Sequence, residues 1–120
     1  MGSEMCIRDS FRLVDVRDDD AFTLGYDVLE RQFGPVDEIE RREVLLAWQQ
    51  GVYDDARARL RARYHMNLVY DGDTLAAARD HFSVVDTESG AVVAFMSHSL
   101  VLPPFRRSGL AALVLSLIHI

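Results

Sequence analysis

The chain has 120 residues, of which 49% are apolar and 27% charged, and a net charge of −6. That length supports one globular domain with a modest core, and the acidic balance excludes a nonspecific nucleic-acid surface, which needs a basic face to neutralise phosphate. All thirteen basic residues are Arg, which excludes Schiff-base lysine chemistry in this segment and reads as the codon bias of a GC-rich, bacterial genome.

The two ends are related to each other at the level of coding sequence. Residues Leu115 to Ile120, back-translated as ctg tct ctt ata cac atc, read on the opposite strand as gatgtgtataagagacag. From its atg that strand encodes Met-Cys-Ile-Arg-Asp and then the first two bases of a Ser or Arg codon. Residues 5–10 are Met-Cys-Ile-Arg-Asp-Ser. Two complementary readings of one oligonucleotide resemble a sequencing-library transposon end, so residues 1–10 and 115–120 are expected to be adapter-derived. The authentic segment is then 11–114, a partial domain interrupted early in a helix. Cys6, the only cysteine, falls outside that segment, which leaves no disulfide or thiolate chemistry. The apolar run from Leu110 to Ile120 is too short to span a membrane. A cytoplasmic protein is expected, with no membrane and no nucleic-acid partner.

In chain order, Phe11 to Val16 reads as a first strand, closed by the charged turn Arg17-Asp18-Asp19-Asp20. Asp19 or Asp20 is expected to cap a helix whose apolar positions are Phe22, Tyr26, Leu29 and Phe33, with Gly34-Pro35 ending it. The acidic triplet is read as cap and solvated charge in preference to a metal site. Asp37-Glu38-Ile39-Glu40 resembles a capping box opening a second helix, with Ile39, Val44 and Leu46 inward, Trp48 near its end and Gly51 breaking it. A third helical stretch is expected over 56–63, its arginines spread around the axis as a solvated surface.

After Tyr64-His65 the pattern changes to strands. Met66 to Tyr70 is a short strand, Asp71-Gly72 a hairpin signal, and Leu75 to Val85 the return strand. Thr87 to Gly90 turns the chain into a long strand, Ala91 to Leu102, which two prolines end. A helix-period run then starts at Leu110. The backbone N–H groups of a helix opening are unpaired and carry partial positive charge, and Ser108, Gly109 and Ala111 are small enough for a phosphate to approach them. Residues 101–111 are therefore a candidate pyrophosphate cradle, with an ordinary strand-to-helix connection as the alternative.

The spelling of this stretch resembles the acetyl-coenzyme A signature of the GNAT acyltransferases, a strand ending Val-x-Pro that leads through an aromatic and an Arg into Arg/Gln-x-x-Gly-x-Gly/Ala. The corresponding residues are Val101, Pro103, Phe105, Arg106, Gly109 and Ala111, the last in place of the commoner Gly. The resemblance implies an α/β (α+β) fold with a mostly antiparallel sheet and flanking helices, the C-terminal part missing. It also implies that the strand before the cradle splays from its next neighbour to form a cofactor cleft.

The implied reaction transfers an acetyl or other acyl group from coenzyme A to a primary amine, on a small molecule or a peptide. A backbone N–H near Val101 or Leu102 would polarise the thioester carbonyl, while the amides of Arg107, Ser108, Gly109, Leu110 and Ala111 hold the pyrophosphate. Arg106 and Arg107 add charge-assisted contacts to phosphate. The amine needs a proton acceptor. Phe95 occupies the position where some family members carry a glutamate, and it cannot accept a proton. His98, flanked by Ser97 and Ser99, is the candidate base, with Ser99 beside it, although a hydrogen-bonded structural histidine is the favoured reading of that position. Strict alternation places His98 with Met96 and Leu100, unless a bulge changes the parity. His65 and His81 have no second ligand at metal-like spacing, so no metal is expected.

Two other functions remain open. A noncatalytic acyl-coenzyme A sensor would keep the cradle and lack a base, and a helical interaction module would make the cradle incidental. The interrupted segment itself is expected to be inactive and marginally stable, because a sheet edge and part of the core are missing.

Overall fold

The computed structural model describes residues 4–8, as backbone, and 11–112. The expected adapter-derived residues 115–120 lie outside the described residues. Five strands form one antiparallel sheet in chain order: β1 Glu4–Arg8, β2 Phe11–Asp15, β3 Leu60–Asp71, β4 Thr74–Asp86 and β5 Val92–Val101. Helices α1, Asp19–Phe33, and α2, Arg42–Gln50, fill the connection between β2 and β3. The protein is therefore a mixed α+β fold with an antiparallel sheet, as the sequence suggests. The segment 1–10, read as foreign, supplies β1. That pairing draws on backbone N–H and C=O groups, which any such peptide carries, and has no bearing on where the segment comes from.

Period-two alternation divides the sheet into two faces. The helical face carries Tyr64, Met66, Leu68 and Ala78, which pack with Phe22, Val28 and Leu29 of α1 and Leu45 of α2 into the main core. The opposite face carries a smaller cluster of Leu13, Val69, Ala76 and Ala77, closed by Leu110 where the chain turns helical again. Phe105 reaches the same cluster and meets Phe11 edge-on, with ring centroids 6.3 Å apart. Thus the loop after β5 crosses from one face of the sheet to the other.

Four local expectations are corrected. The first helix is capped by Asp18, whose side chain accepts from the Ala21 amide at 2.8 Å, with Asp19 and Asp20 in the first turn near the helix's positive end. The proposed capping box at Asp37 does not open α2. Asp37 is left-handed (φ 56°) and closes a 3-10 turn over Gly34–Val36, and α2 begins five residues later after Arg41, which makes no side-chain cap.

No helix forms over 56–63. The arginines at 57, 59, 61 and 63 alternate, and that period of two belongs to β3 and its approach. Arg59 clamps Asp86 on the neighbouring strand with two bonds of 3.0 and 2.9 Å, and Arg63 pairs with Asp54. Cross-strand ion pairs favour the extended form over the helix that Ala and Arg prefer locally.

On β5, Asp80 pairs with His98 but His81 pairs with Met96, so Ser97 is an extra residue in a bulge. Met96 moves to the face opposite His98, while Leu100 stays with it in the main core.

Gly25 marks a close approach of α1 to the sheet. A Cβ there would run into Met66 Sδ and come within 3.0 Å of Leu68 Cδ2, both side chains fully buried. Gly25→Leu is expected to cost about 3 kcal/mol, because a filled core cannot yield that volume. Urea unfolding at neutral pH measures it, and an unchanged midpoint would show that α1 floats on the sheet.

Candidate functional site

The stretch after β5 is built as strand, 3-10 turn over Pro103–Phe105, and two residues of positive φ before the chain turns helical at Leu110. Gly109 (φ 81°) suits that region, whereas Arg107 (φ 68°) is there despite its Cβ. Ser108 Oγ donates to the Phe105 carbonyl at 2.6 Å and accepts from the Leu110 amide at 3.3 Å. Arg106, Arg107, Ser108 and Gly109 are exposed, Leu110 is buried and Ala111 faces outward. Among the described residues the Arg107, Ser108 and Gly109 amides meet no acceptor. Successive amides without acceptors beside residues of positive φ are the backbone arrangement from which anion-binding nests are made.

The thioester end differs from expectation. The Leu102 amide donates to the Ala76 carbonyl at 2.9 Å, and Arg106 Nε donates to the Val101 carbonyl at 3.1 Å. Of the two amides proposed to polarise a thioester, the one at Leu102 is therefore held by β4. Among the described residues β5 pairs only with β4, and no splayed neighbour is seen.

Beside this loop lies a groove of about 320 Å³ lined by Val28, Arg31 and Gln32 of α1 and by Leu100, Leu102, Pro103 and Arg106. Its floor is aliphatic and two guanidiniums flank it.

His98 sits deeper, on the helical face. Its Nδ1 lies 2.8 and 3.1 Å from the two oxygens of Asp80, and its Nε2 lies 2.6 Å from the Glu38 carbonyl. A carbonyl only accepts, so Nε2 carries a hydrogen. With Asp80 ionised, Nδ1 donates to the carboxylate and the ring is an imidazolium. Its pKa is raised, chiefly by the Asp80 hydrogen bond and against the effect of burial. Asp80 is fully buried and also accepts from Tyr64 Oη at 2.5 Å. Burial, and secondarily Asp80, push the Tyr64 phenol above its ordinary range. Phe33 of α1 packs on the His98 ring at 4.6 Å.

The arrangement ties the 3-10 region between the helices to the middle of β5. With both nitrogens donating, His98 in this conformation offers no lone pair to an incoming amine. Ser99, its sequence neighbour, lies on the other face opposite Arg79, so the sheet does not bring the two together. Phe95 pairs with Phe82 on the helical face and is 57% exposed.

The opposite face holds a buried polar row. Asp15, Asn67, Arg79 and Ser99 are successive cross-strand neighbours, with Arg79 Nε donating to Asn67 Oδ1 at 3.0 Å. Burial lowers the Arg79 pKa to about 10, partly offset by Asp15. In the next row His65 and His81 stack with centroids 4.8 Å apart, and His65 Nε2 lies 2.7 Å from Ser83 Oγ. Burial, and then His81, bring the His65 pKa down to about 4.

Asp80, Tyr64 and Arg31 were not singled out from sequence. Arg79-Asp80-His81, three polar residues inside an otherwise apolar strand, was the available signal for buried polar contacts. Arg31 carries no local signal, because only packing places it over Leu100 and Leu102. Among the described residues no three His, Cys, Asp or Glu side chains are grouped to hold a metal ion, and no helix is long and apolar enough to cross a membrane. Comparisons with models of protein families, with curated proteins and with solved structures found no match.

Proposed function

We propose that the chain carries the cofactor-binding part of an acyl-CoA-dependent N-acyltransferase of the GNAT type, with acetyl-coenzyme A as cosubstrate and an amine as acceptor. The observation that carries this reading is the loop after β5. Exposed amides at Arg107, Ser108 and Gly109 with no acceptor among the described residues, positive φ at Arg107 and Gly109, and two arginines, Arg106 and Arg107, in the same short stretch supply donors and charge of the sign a pyrophosphate requires. In the reaction the amine nitrogen attacks the thioester carbon, the carbon–sulfur bond breaks, and the proton lost by nitrogen is matched by one gained at the departing thiolate.

One arrangement favours a second reading, acyl-CoA binding without turnover. Phe95 stands where a carboxylate base is expected, and both nitrogens of His98 are donors to Asp80 and Glu38. A sensor needs the cradle alone.

Titration with acetyl-coenzyme A by calorimetry, beside Gly109→Glu, separates these readings from a plain turn. The substitution brings bulk, like charge and a Cβ at φ 81° to the phosphate position, and is expected to weaken binding by at least about tenfold. Equal titration curves, or none for either protein, would remove the cradle. If the chain binds, thiol release with any member of a panel of amines identifies a transferase.

A further inference from the structure

We propose that the groove between the C-terminal half of α1 and the end of β5 is a binding site for an amphipathic oxyanion, a carboxylate or phosphate head on an aliphatic or aromatic body of about ten to fifteen heavy atoms. The site shares Leu102, Pro103 and Arg106 with the stretch 101–111 but none of the open amides at 107–109, and its existence does not rest on those amides holding coenzyme A.

Charge supplies the first part of the case. The chain has 19 acidic against 13 basic side chains, and several of its arginines pair with them, as Arg17 does with Asp15, Arg42 with Asp19, Arg59 with Asp86 and Arg63 with Asp54. Arg31 and Arg106, like Arg41, Arg61 and Arg107, do not. Among the described residues neither has a carboxylate partner, and both flank this one groove. Arg106 is steadied by its Nε bond to the Val101 carbonyl at 3.1 Å, which leaves Nη1 and Nη2 available. A guanidinium held by one nitrogen presents the other two as the planar fork that carboxylates and phosphates accept.

Shape supplies the second part. The floor is Val28, Leu100 and Leu102, with Pro103 at one end, and the volume of about 320 Å³ lies at the lower limit of small-molecule sites. A simple inorganic anion would leave that aliphatic surface wet, and a simple hydrocarbon would leave two cations without a counter-ion. A head-and-body ligand meets both demands. Leu100 belongs to β5, the Leu102 amide is bonded to the Ala76 carbonyl of β4 and Val28 is buried in α1, so the floor is formed before any ligand arrives.

The test uses the 120-residue chain with octanoate and octyl phosphate as probes and with octanol and acetate as controls, followed by amide chemical shifts at low salt. Saturable shifts are expected at Val28, Leu100 and Leu102 with both octyl oxyanions, and neither control is expected to produce them. Whichever octyl anion binds more tightly identifies the preferred head. Arg31→Gln is expected to weaken that binding about fivefold to tenfold, the range for an exposed charge-assisted contact, while leaving the acetyl-coenzyme A titration unchanged. Gly109→Glu is expected to do the reverse, and Arg106→Gln to weaken both. Octanol binding as tightly as octanoate, shifts that map elsewhere, or octanoate affinity indifferent to Arg31→Gln would each overturn the proposal. Loss of coenzyme A binding alone would overturn only the cradle.

Discussion

Asp80→Ala is expected to remove about 3–5 kcal/mol of stability, the usual effect of deleting one partner from a buried ion pair. The carboxylate is fully buried and accepts from both the Tyr64 hydroxyl and the His98 ring. Alanine leaves the phenol without its acceptor and the imidazolium without its counter-ion, in a region sealed by Phe22, Phe33 and Phe82. A domain of this size loses about 4–8 °C of melting midpoint per kcal/mol, so the fall should reach tens of degrees. Thermal unfolding followed by circular dichroism measures it; a change of only a few degrees would mean the three groups are solvated.

Asp80→Asn separates charge from hydrogen bonding, since its oxygen still accepts from Tyr64. Because the folded-state pKa of His98 is raised, the folded chain holds that proton more tightly than the unfolded one. The resulting stability is complete below about pH 6.5 and is lost as pH rises through the folded value. That alkaline loss should be present in the parent protein and absent in Asp80→Asn.

Acidification from about pH 6.5 to about pH 4 is expected to cost about 2–3 kcal/mol, through the opposite face of the sheet. His65 is stacked on His81 and bonded to Ser83, with Asp15, Arg17 and Arg63 as its charged neighbours. Burial is the largest cause of its lowered pKa, to about 4, and the neighbouring His81 comes next. Over that interval the unfolded chain takes up a proton that the folded chain refuses, so stability falls with pH. His98, with its raised pKa, works in the opposite sense near the top of that interval and adds little slope below about pH 5.5, where it is protonated in both states. Urea unfolding at pH 7 and pH 4.5 measures the difference, and His65→Gln, which can still meet Ser83, should flatten it. Equal slopes in the two proteins would assign the acid sensitivity elsewhere.

Local chemistry made much of the fold legible before any coordinates. Asp71-Gly72 marked a hairpin, and the chain turns there with Gly72 at φ 59°. Phe22 and Leu29 marked the buried side of α1, and both are fully buried. The prolines and Gly109 marked the loop after β5, because ring closure and a missing Cβ act within a few residues and need no distant partner. The helix expected over 56–63 shows the limit. Ala and Arg favour helix on their own, while the reward for extending them, Asp86 and the β4 backbone, lies more than twenty residues away.

The candidate site divides along the same line. Residues 101–111 were visible as a motif because their order along the chain is their geometry. The partners of His98 were not, since they depend on an extra residue at Ser97, on Asp80 arriving from the neighbouring strand and on a Glu38 carbonyl from between the helices. Arg31 and Leu100 share a groove only because α1 crosses the end of β5. The sequence by itself determined the α+β class, the hairpin and the position of the loop after β5, all products of dihedral preference and short-range periodicity. The tertiary structure alone decided which face each polar residue of β4 and β5 occupies, because one bulge inverts the alternation and the sequence carries no local mark of it.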